Sequence, residues 1–151
     1  MGRTILVVDD CADIRRIIQH FLGQRGYDVI TAPDGDSALA AVAERRPDAI
    51  VLDIMMPSTS GLDVVKRLRE DHAQASIPVI FVSALSRDAD VLNGYQAGGD
   101  YYITKPFTAA QLFYALDHVL ANATPPARDS TPGTDQATRP ALSVIRRSGT
   151  R

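Results

Sequence analysis

The chain has 151 residues, of which 45% are hydrophobic and 23% are charged, and its formal net charge at pH 7 is −2. The length is that of one ordinary domain, so we do not expect a multidomain enzyme, and the composition is that of a packed globular protein rather than a wholly disordered chain. No apolar run approaches the roughly 18 to 20 residues of a membrane span, and the first residues have the pattern of neither a secretion signal nor a myristoylation site. The single cysteine, Cys11, agrees with a reducing compartment, and we therefore expect a cytoplasmic protein without membrane contact.

The composition changes near residue 122. Residues 123–151 contain four of the nine prolines, five arginines against two aspartates and no aromatic side chain, whereas the preceding residues are acidic overall. A segment of this kind cannot bury enough apolar surface to offset its ordering entropy. We therefore predict a folded domain over residues 1–122 and a disordered, arginine-containing tail over residues 123–151, and we expect no attached output domain.

Within residues 1–122 the hydrophobic pattern alternates between short apolar runs and segments of helical period. The first run predicts a strand over residues 5–8, and the apolar spacing that follows predicts a helix over residues 14–22 with Asp13 as its N-cap. The later predicted elements, in chain order, are a strand over 27–32, a helix over 37–46, a strand over 49–52, a helix over 62–68, a strand over 79–82, a helix over 89–97, a strand over 101–103 and a helix over 112–120. The chain thus contains five strand-then-helix units.

Five such units predict an α/β fold. Parallel strands need crossover connections, which helices supply, so the pattern implies a mainly parallel sheet with helices on both faces. Right-handed crossovers narrow the possible topologies further. We therefore predict a (βα)5 doubly wound, five-stranded parallel sheet of order 2-1-3-4-5, a flavodoxin-like three-layer sandwich. In this order the first and third strands are neighbours, and ligands bind outside the carboxyl ends of the strands.

Chemically capable side chains follow four of the five predicted strands. They are Asp9 and Asp10 after the first strand, Asp53 after the third, Ser83 after the fourth and Lys105 after the fifth. Any one of them alone is more often a helix cap, a turn residue or a solvated charge. Together they indicate a site, and because three converging carboxylates repel one another unless a cation compensates, they favour Mg2+.

A magnesium site of this composition suits phosphoryl chemistry. An aspartate carboxylate can attack phosphorus and form an acyl phosphate. Asp53 suits that role because it stands alone at the end of a central strand, whereas Asp9 and Asp10 can share the metal. Lys105 and the Ser83 hydroxyl would then bind the phosphoryl oxygens.

Between about residues 4 and 120 the chain contains a series of short motifs, namely residues 7–10 (VVDD), 48–57 (DAIVLDIMMP), Gly61, 82–84 (VSA), 97–101 (AGGDY) and 105–107 (KPF). With these motifs the sequence resembles the response-regulator receiver domain of two-component signalling. Each motif is weak alone, but the set in this order and at these distances is specific. The resemblance implies the same fold over nearly the whole predicted domain.

The resemblance also assigns roles in the site. It implies that Asp53 is the phospho-acceptor and that Mg2+ is held by Asp9, Asp10, Asp53 and the backbone carbonyl of Met55. It further implies that Ser83 and Lys105 bind the phosphoryl group and that the Lys105–Pro106 peptide is cis. Enzymatic character would be limited to self-phosphorylation and slow autodephosphorylation.

Partners and a switch follow from the same resemblance. The phosphodonor would be a phosphohistidine on a histidine kinase or a histidine phosphotransfer protein. Phosphorylation would draw Ser83 towards the phosphoryl group and let the ring of Tyr102 occupy the vacated space. The face built by the fourth helix, fifth strand and fifth helix would then change and bind a downstream protein. Met55 and Leu85 would flank the path of the attacking water, and because both are apolar we predict a long-lived phosphoryl state.

Several alternatives stay open on the sequence alone. The chain could be a phosphorelay intermediate, or a receiver-like interaction module that is not phosphorylated. A haloacid-dehalogenase-type phosphatase also uses an aspartate, Mg2+, a hydroxyl and a lysine, but it carries Asp-x-Asp after the first strand, where this chain has Asp9, Asp10 and Cys11. We expect no direct sequence-specific DNA binding, because the arginines of the tail lack a folded reader.

Overall fold

A computed structural model describes residues 2–122, and the predicted tail over residues 123–151 lies outside the described residues. The five strands are β1 (Thr4–Val8), β2 (Asp28–Ala32), β3 (Ala49–Leu52), β4 (Val79–Ser83) and β5 (Tyr101–Thr104). The five helices are α1 (Ala12–Gln24), α2 (Gly35–Glu44), α3 (Gly61–Glu70), α4 (Asp88–Ala97) and α5 (Ala109–Ala121). Every predicted strand-then-helix unit is present.

The strands form one parallel sheet in the order β2-β1-β3-β4-β5. The predicted doubly wound, flavodoxin-like topology is therefore confirmed. Strands β1 and β3 are adjacent, with Val8 opposite Leu52 at their carboxyl ends. These two strand ends lie at the point where the strand order reverses, which is where the sequence predicts a ligand site.

Two apolar cores lie on opposite faces of the sheet. Strand β1 contributes Leu6 and Val8 to the core under α2 and α3, and Ile5 and Val7 to the core under α1 and α5. Because successive side chains of a strand point to opposite faces, a strand between two helical layers must be apolar throughout. Every residue of β1, β3 and β4 is buried, so the ends of these strands, from which the site loops start, are packed between the two cores. Within residues 2–122 no helix combines the length and apolarity needed to cross a bilayer.

The start of α1 differs from the sequence-based expectation. The helix begins at Ala12 with Cys11 as its N-cap, and Asp13 lies in the first turn, where it pairs with Arg16 at 2.9 Å. The prediction of Asp13 as the N-cap was therefore wrong. The helix starts earlier because Asp9 Oδ1 accepts a hydrogen bond from the backbone N–H of Cys11 at 2.9 Å, which turns the chain directly after the strand.

Candidate functional site

The acidic residues predicted after β1 and β3 converge in the structure. Carboxylate oxygens of Asp9, Asp10 and Asp53 all lie within 4.8 Å of one another. The backbone N–H of Asp53 donates to the carbonyl of Val8 at 2.9 Å, so the ladder between the two strands continues up to the acid. Asp9 is only 2% exposed and Asp53 only 5%, whereas Asp10 is exposed. Two of the three carboxylates are thus held in the protein, and the third faces solvent.

The loop after Asp53 is held against the first turn of α3. The backbone N–H of Gly61 donates to the carbonyl of Ile54 at 2.9 Å, and a Cβ at Gly61 would collide with the carbonyl oxygen of Asp53. A glycine is required at this position because the helix backbone approaches the site too closely for any side chain. Gly61 therefore keeps the Asp53 loop compact.

Lys105 supplies the positive charge of the site. Its Nζ lies 3.0 Å from Asp9 Oδ2 and 3.5 Å from Asp53 Oδ2. Its backbone N–H donates to the carbonyl of Ser83 at 2.8 Å, which ties the lysine to the end of β4, and the Lys105–Pro106 peptide is cis as the resemblance implies. The ammonium group thus bridges the two buried carboxylates.

The electrostatics of the site are strongly perturbed at Asp53. Its pKa is raised from 3.8 to about 6, chiefly because the carboxylate is buried and next because the charge of Asp9 lies beside it. The charge of Lys105 and the N–H of Met55, which donates to Asp53 Oδ1 at 3.2 Å, act in the opposite direction. Burial alone would lower the pKa of Lys105, but its hydrogen bond to Asp9 and the charges of both acids outweigh burial and raise it.

The donor set fits a hard divalent cation. Three carboxylates with one ammonium leave a net negative charge in a partly desolvated pocket, which is unfavourable without a further cation. Mg2+ is bound in proteins by one or two carboxylates together with other oxygen ligands. Within residues 2–122, no other group of three or more His, Cys, Asp or Glu side chains is arranged to hold a metal ion. The acidic cluster is therefore the candidate metal site of the described chain.

Ser83 ends β4 and Tyr102 lies in β5, and both hydrogen-bond to Leu85 in the loop after β4. Ser83 is fully buried, and its Oγ accepts a hydrogen bond from the backbone N–H of Leu85 at 3.1 Å. The Tyr102 hydroxyl donates to the carbonyl of Leu85 at 2.8 Å. Burial raises the pKa of Tyr102, and a hydrogen bond with Ser83 acts in the opposite direction. The two predicted switch residues are thus connected through Leu85.

The two apolar residues predicted near the water path differ in exposure. The Met55 side chain is 55% exposed, whereas Leu85 is partly buried and packs against the core under α2 and α3. The predicted role of the Met55 carbonyl as a metal ligand stays a prediction.

Sequence reasoning missed two contacts of the site. Arg15 in α1 donates from Nη1 to the backbone carbonyl of Asp9 at 2.7 Å, which restrains the acid from the helix side. The loop between Ser83 and α4 is held by a capping box in which Asp90 accepts from the backbone and guanidinium of Arg87. A charged pair at i and i+3 before α4 is a visible signal, but the Arg15 contact depends on the rotation of α1 and leaves no signal in the sequence.

Comparison with known proteins places the chain in a family. The family model for the response regulator receiver domain matches residues 5–117. The phosphate regulon transcriptional regulatory protein PhoB of Pseudomonas aeruginosa is 39% identical over 125 residues, covering 83% of this chain and 55% of that protein. The probable transcriptional regulatory protein TcrX of Mycobacterium tuberculosis is 40% identical over 117 residues, covering 78% and 49%. The chain spans about half the length of these curated relatives.

Solved structures agree with this assignment. The chemotaxis response regulator CheY4 of Vibrio cholerae matches with a TM-score of 0.75 and 31% identity, over 79% of this chain and 99% of that chain. A putative response regulator of Chloroflexus aurantiacus matches with a TM-score of 0.77 and 29% identity, over 80% and 99%. The sheet order, the acidic cluster at the ends of β1 and β3 and these matches lead to one conclusion: the chain belongs to the response regulator receiver domain family of two-component systems.

Proposed function

We propose that this receiver domain accepts a phosphoryl group onto Asp53 from a phosphohistidine of a histidine kinase or histidine phosphotransfer protein. The observation that carries the proposal is the Asp53 carboxylate itself. It is buried, it lies within 4.8 Å of Asp9 and Asp10, and its second oxygen is 3.5 Å from the ammonium of Lys105. A buried carboxylate beside an ammonium and two further acids is suited to nucleophilic attack on phosphorus.

The transfer uses residues of this chain for positioning and charge neutralisation. A carboxylate oxygen of Asp53 forms a bond to phosphorus while the bond between phosphorus and the donor imidazole nitrogen breaks. The donor ring is protonated on its other nitrogen during transfer, so it leaves as neutral imidazole. The hydrogen bond from the Met55 N–H holds the other carboxylate oxygen, so one oxygen is directed at the donor. We expect Lys105 to donate to one phosphoryl oxygen, and the Ser83 hydroxyl, at the end of the adjacent strand β4, to donate to another.

Mg2+ is part of this proposal. Asp9, Asp10, Asp53 and the backbone carbonyl of Met55 would hold the ion. When bound, it neutralises negative charge on the carboxylates and on the phosphoryl oxygens. Arg15 and Cys11, which hydrogen-bond the backbone carbonyl and the side chain of Asp9, keep that acid oriented towards the site.

The output of phosphorylation is a change of the α4–β5–α5 face. A phosphoryl group adds about −1.5 to −2 charges and strong acceptor oxygens, which attract the Ser83 hydroxyl. Ser83 is linked through Leu85 to the hydroxyl of Tyr102 on β5, so a shift of Ser83 changes the environment of the ring. We propose that a downstream protein recognises this face. The described residues perform no other chemistry in this proposal than acquisition and slow loss of the phosphoryl group.

Labelling tests the proposal. Incubation with acetyl phosphate and Mg2+ is expected to add one phosphoryl group by intact-mass spectrometry, located to Asp53 by peptide mapping. EDTA and the variant Asp53→Asn are expected to abolish the added mass, whereas Asp36→Asn, at an exposed carboxylate of α2, is expected to label normally. Equal labelling of Asp53→Asn would overturn the proposal, and absence of labelling in the unmodified chain would favour a non-phosphorylated interaction module.

A further inference from the structure

The ring of Tyr102 occupies a narrow space between α4 and β4. On the strand side it packs against Phe81, with 6.1 Å between the ring centroids. On the helix side it faces Gly94, which is buried in the middle of α4. A Cβ at Gly94 would lie 2.9 Å from Cδ2 and 3.1 Å from Cε2 of Tyr102. The ring therefore occupies space that exists only because residue 94 has no side chain.

The helix that carries Gly94 is held at its first turn. The N-cap residue of α4, Arg87, is bound by Asp90, whose Oδ2 accepts from the Arg87 backbone N–H and Nε, each at 3.1 Å, and whose Oδ1 accepts from Arg87 Nη2 at 3.2 Å. Asp90 is only 8% exposed. A buried carboxylate that accepts three hydrogen bonds from one residue strongly restrains the first turn.

The last turn of α4 is also held. The carbonyl of Gly98, the C-cap residue, accepts hydrogen bonds from Arg69 Nε at 3.1 Å and Arg69 Nη2 at 2.7 Å. The same guanidinium donates to the carbonyls of Ala75 and Ile77, so it is itself anchored to the loop before β4. Because Arg69 ties the C-cap of α4 to α3 and to the loop before β4, the backbone at residue 94 has little room to retreat from the ring.

The remaining neighbour on the strand side is equally constrained. Phe81 is fully buried in β4, and a Cβ at Gly94 would come within 3.1 Å of its Cδ2. Tyr102 is partly exposed and projects from the edge strand β5, so it is the group that can move. Rotation of its side chain towards solvent would relieve the contact, at the cost of the hydrogen bond from its hydroxyl to Leu85.

We propose that Gly94 is a positioning residue of the switch: the lack of a side chain there admits the Tyr102 ring to the space under α4, where its hydroxyl reaches the carbonyl of Leu85. A side chain at position 94 turns the ring outward and breaks the connection from Tyr102 through Leu85 to Ser83. The connection to phosphorylation rests on the proposed function, but the position of the ring does not depend on it.

The test compares two glycine-to-alanine variants of the full chain. Gly94→Ala introduces the Cβ under the ring, and Gly23→Ala is the matched control, because Gly23 also lies in a helix and a Cβ there would meet nothing within 4 Å. The readout is the set of NMR nuclear Overhauser contacts between the Tyr102 ring and the protons of Leu85 and residue 94. We expect Gly94→Ala to lose the contacts to Leu85 and Gly23→Ala to keep them. Retention of those contacts in Gly94→Ala would overturn the proposal.

A double variant covers the case in which Gly94→Ala alone does not fold. In Tyr102→Ala the ring is absent, so adding Gly94→Ala is expected to change the thermal unfolding midpoint far less than it does in the unmodified chain. If Gly94→Ala fails to fold alone, the double variant is expected to fold. A double variant that fails as well would identify Phe81 as the obstacle and would overturn the proposal.

Labelling separates this inference from the proposed function. Gly94→Ala is expected to take up a phosphoryl group from acetyl phosphate to the same extent as the unmodified chain, because the atoms nearest to the added Cβ belong to Tyr102 and Phe81 and not to Asp9, Asp10 or Asp53. The beryllofluoride-induced shifts of backbone amide signals in α4 and β5 are expected to shrink in Gly94→Ala and not in Gly23→Ala; equal shifts in both would overturn the inferred coupling. Failure of the unmodified chain to label would count against the proposed function and leave the ring measurement intact.

Discussion

The substitution Asp53→Asn removes a buried charge that is unfavourable in the folded state and should stabilise the metal-free protein. Asn keeps the shape of the side chain and an oxygen that can accept from the Met55 N–H. It removes a negative charge that is 5% exposed and adjacent to Asp9. Because burial and the neighbouring acid raise the pKa of Asp53, the ionised carboxylate is less stable in the folded state than in the unfolded chain.

The magnitude follows from the pKa. A rise from 3.8 to about 6 corresponds to a cost of up to about 3 kcal/mol for keeping Asp53 ionised in the folded protein. Below pH 3.8 both states hold the proton, and the substitution removes no cost. As the pH rises from 3.8 to 6 the folded state binds more protons than the unfolded state, so the stability of the unmodified chain falls. Above pH 6 the cost is fully present, and at roughly 4 °C per kcal/mol the midpoint of Asp53→Asn should rise by up to about 12 °C.

Thermal unfolding in EDTA, followed by circular dichroism between pH 4 and pH 8, measures this effect. The difference between Asp53→Asn and the unmodified chain should be smallest at pH 4 and largest at pH 8. Asp36→Asn, at an exposed carboxylate, should change the free energy of unfolding by no more than about 0.5 kcal/mol. A variant no more stable than the unmodified chain at pH 8, or a difference independent of pH, would refute the argument that Asp53 is a costly buried charge.

Three further variants test other parts of the domain. Lys105→Met leaves two buried carboxylates without their cation and should lower the free energy of unfolding of the metal-free protein by about 3 kcal/mol at pH 8 and by less at pH 5. Urea unfolding measures this, and equal losses of stability at both pH values would contradict it. Ser58 has a φ of 62°, so Ser58→Gly should relieve backbone strain and raise the free energy of unfolding by up to about 1 kcal/mol, and a lower unfolding midpoint would count against it. Met55→Asn combined with Leu85→Glu should hasten loss of the label from Asp53 roughly tenfold, because polar groups can orient the attacking water; an unchanged decay of the label would dismiss the idea that apolar side chains protect the phosphoryl group.

The fold was predictable because its signals are local and repeated. The strands β1, β3 and β4 are almost continuous apolar runs, and such runs are typical of a sheet that is covered by helices on both faces. Once the strands are parallel, the residue after each strand must lie at one edge of the sheet. This is why Asp9, Asp10, Asp53 and Lys105 could be grouped from their positions alone, and their distances confirm that they lie together.

Details that depend on how helices rotate and pack were not predictable. The N-cap of α1 lies at Cys11 because the Asp9 carboxylate accepts a hydrogen bond from the Cys11 backbone N–H and turns the chain there. The spacing of apolar residues does not indicate this contact. Arg15 reaches the carbonyl of Asp9 only for one rotation of α1. The role of Gly94 is invisible in the sequence, since a glycine inside a helical pattern is normally just a weak helix former, and the ring that it faces is on another element.

The cost of ionising Asp53 bears directly on how the domain responds to ligands. A fold selected for stability alone would have a neutral side chain at this position, because a buried residue without a charge does not lose hydration of that charge on folding. The chain instead buries two acids, Asp9 and Asp53, both less than 6% exposed, and places only Lys105 between them. The folded state therefore has more negative than positive charge at this site. Any cation that binds the folded protein and not the unfolded chain relieves this cost, and its binding is therefore coupled to stability. Under the proposed function, a phosphoryl group on Asp53 would add further negative charge to this site, and we expect the Ser83 hydroxyl to donate to it. Because Ser83 and Tyr102 each hydrogen-bond to Leu85, we expect a shift of Ser83 under the proposed function to change the contacts of Tyr102 on β5.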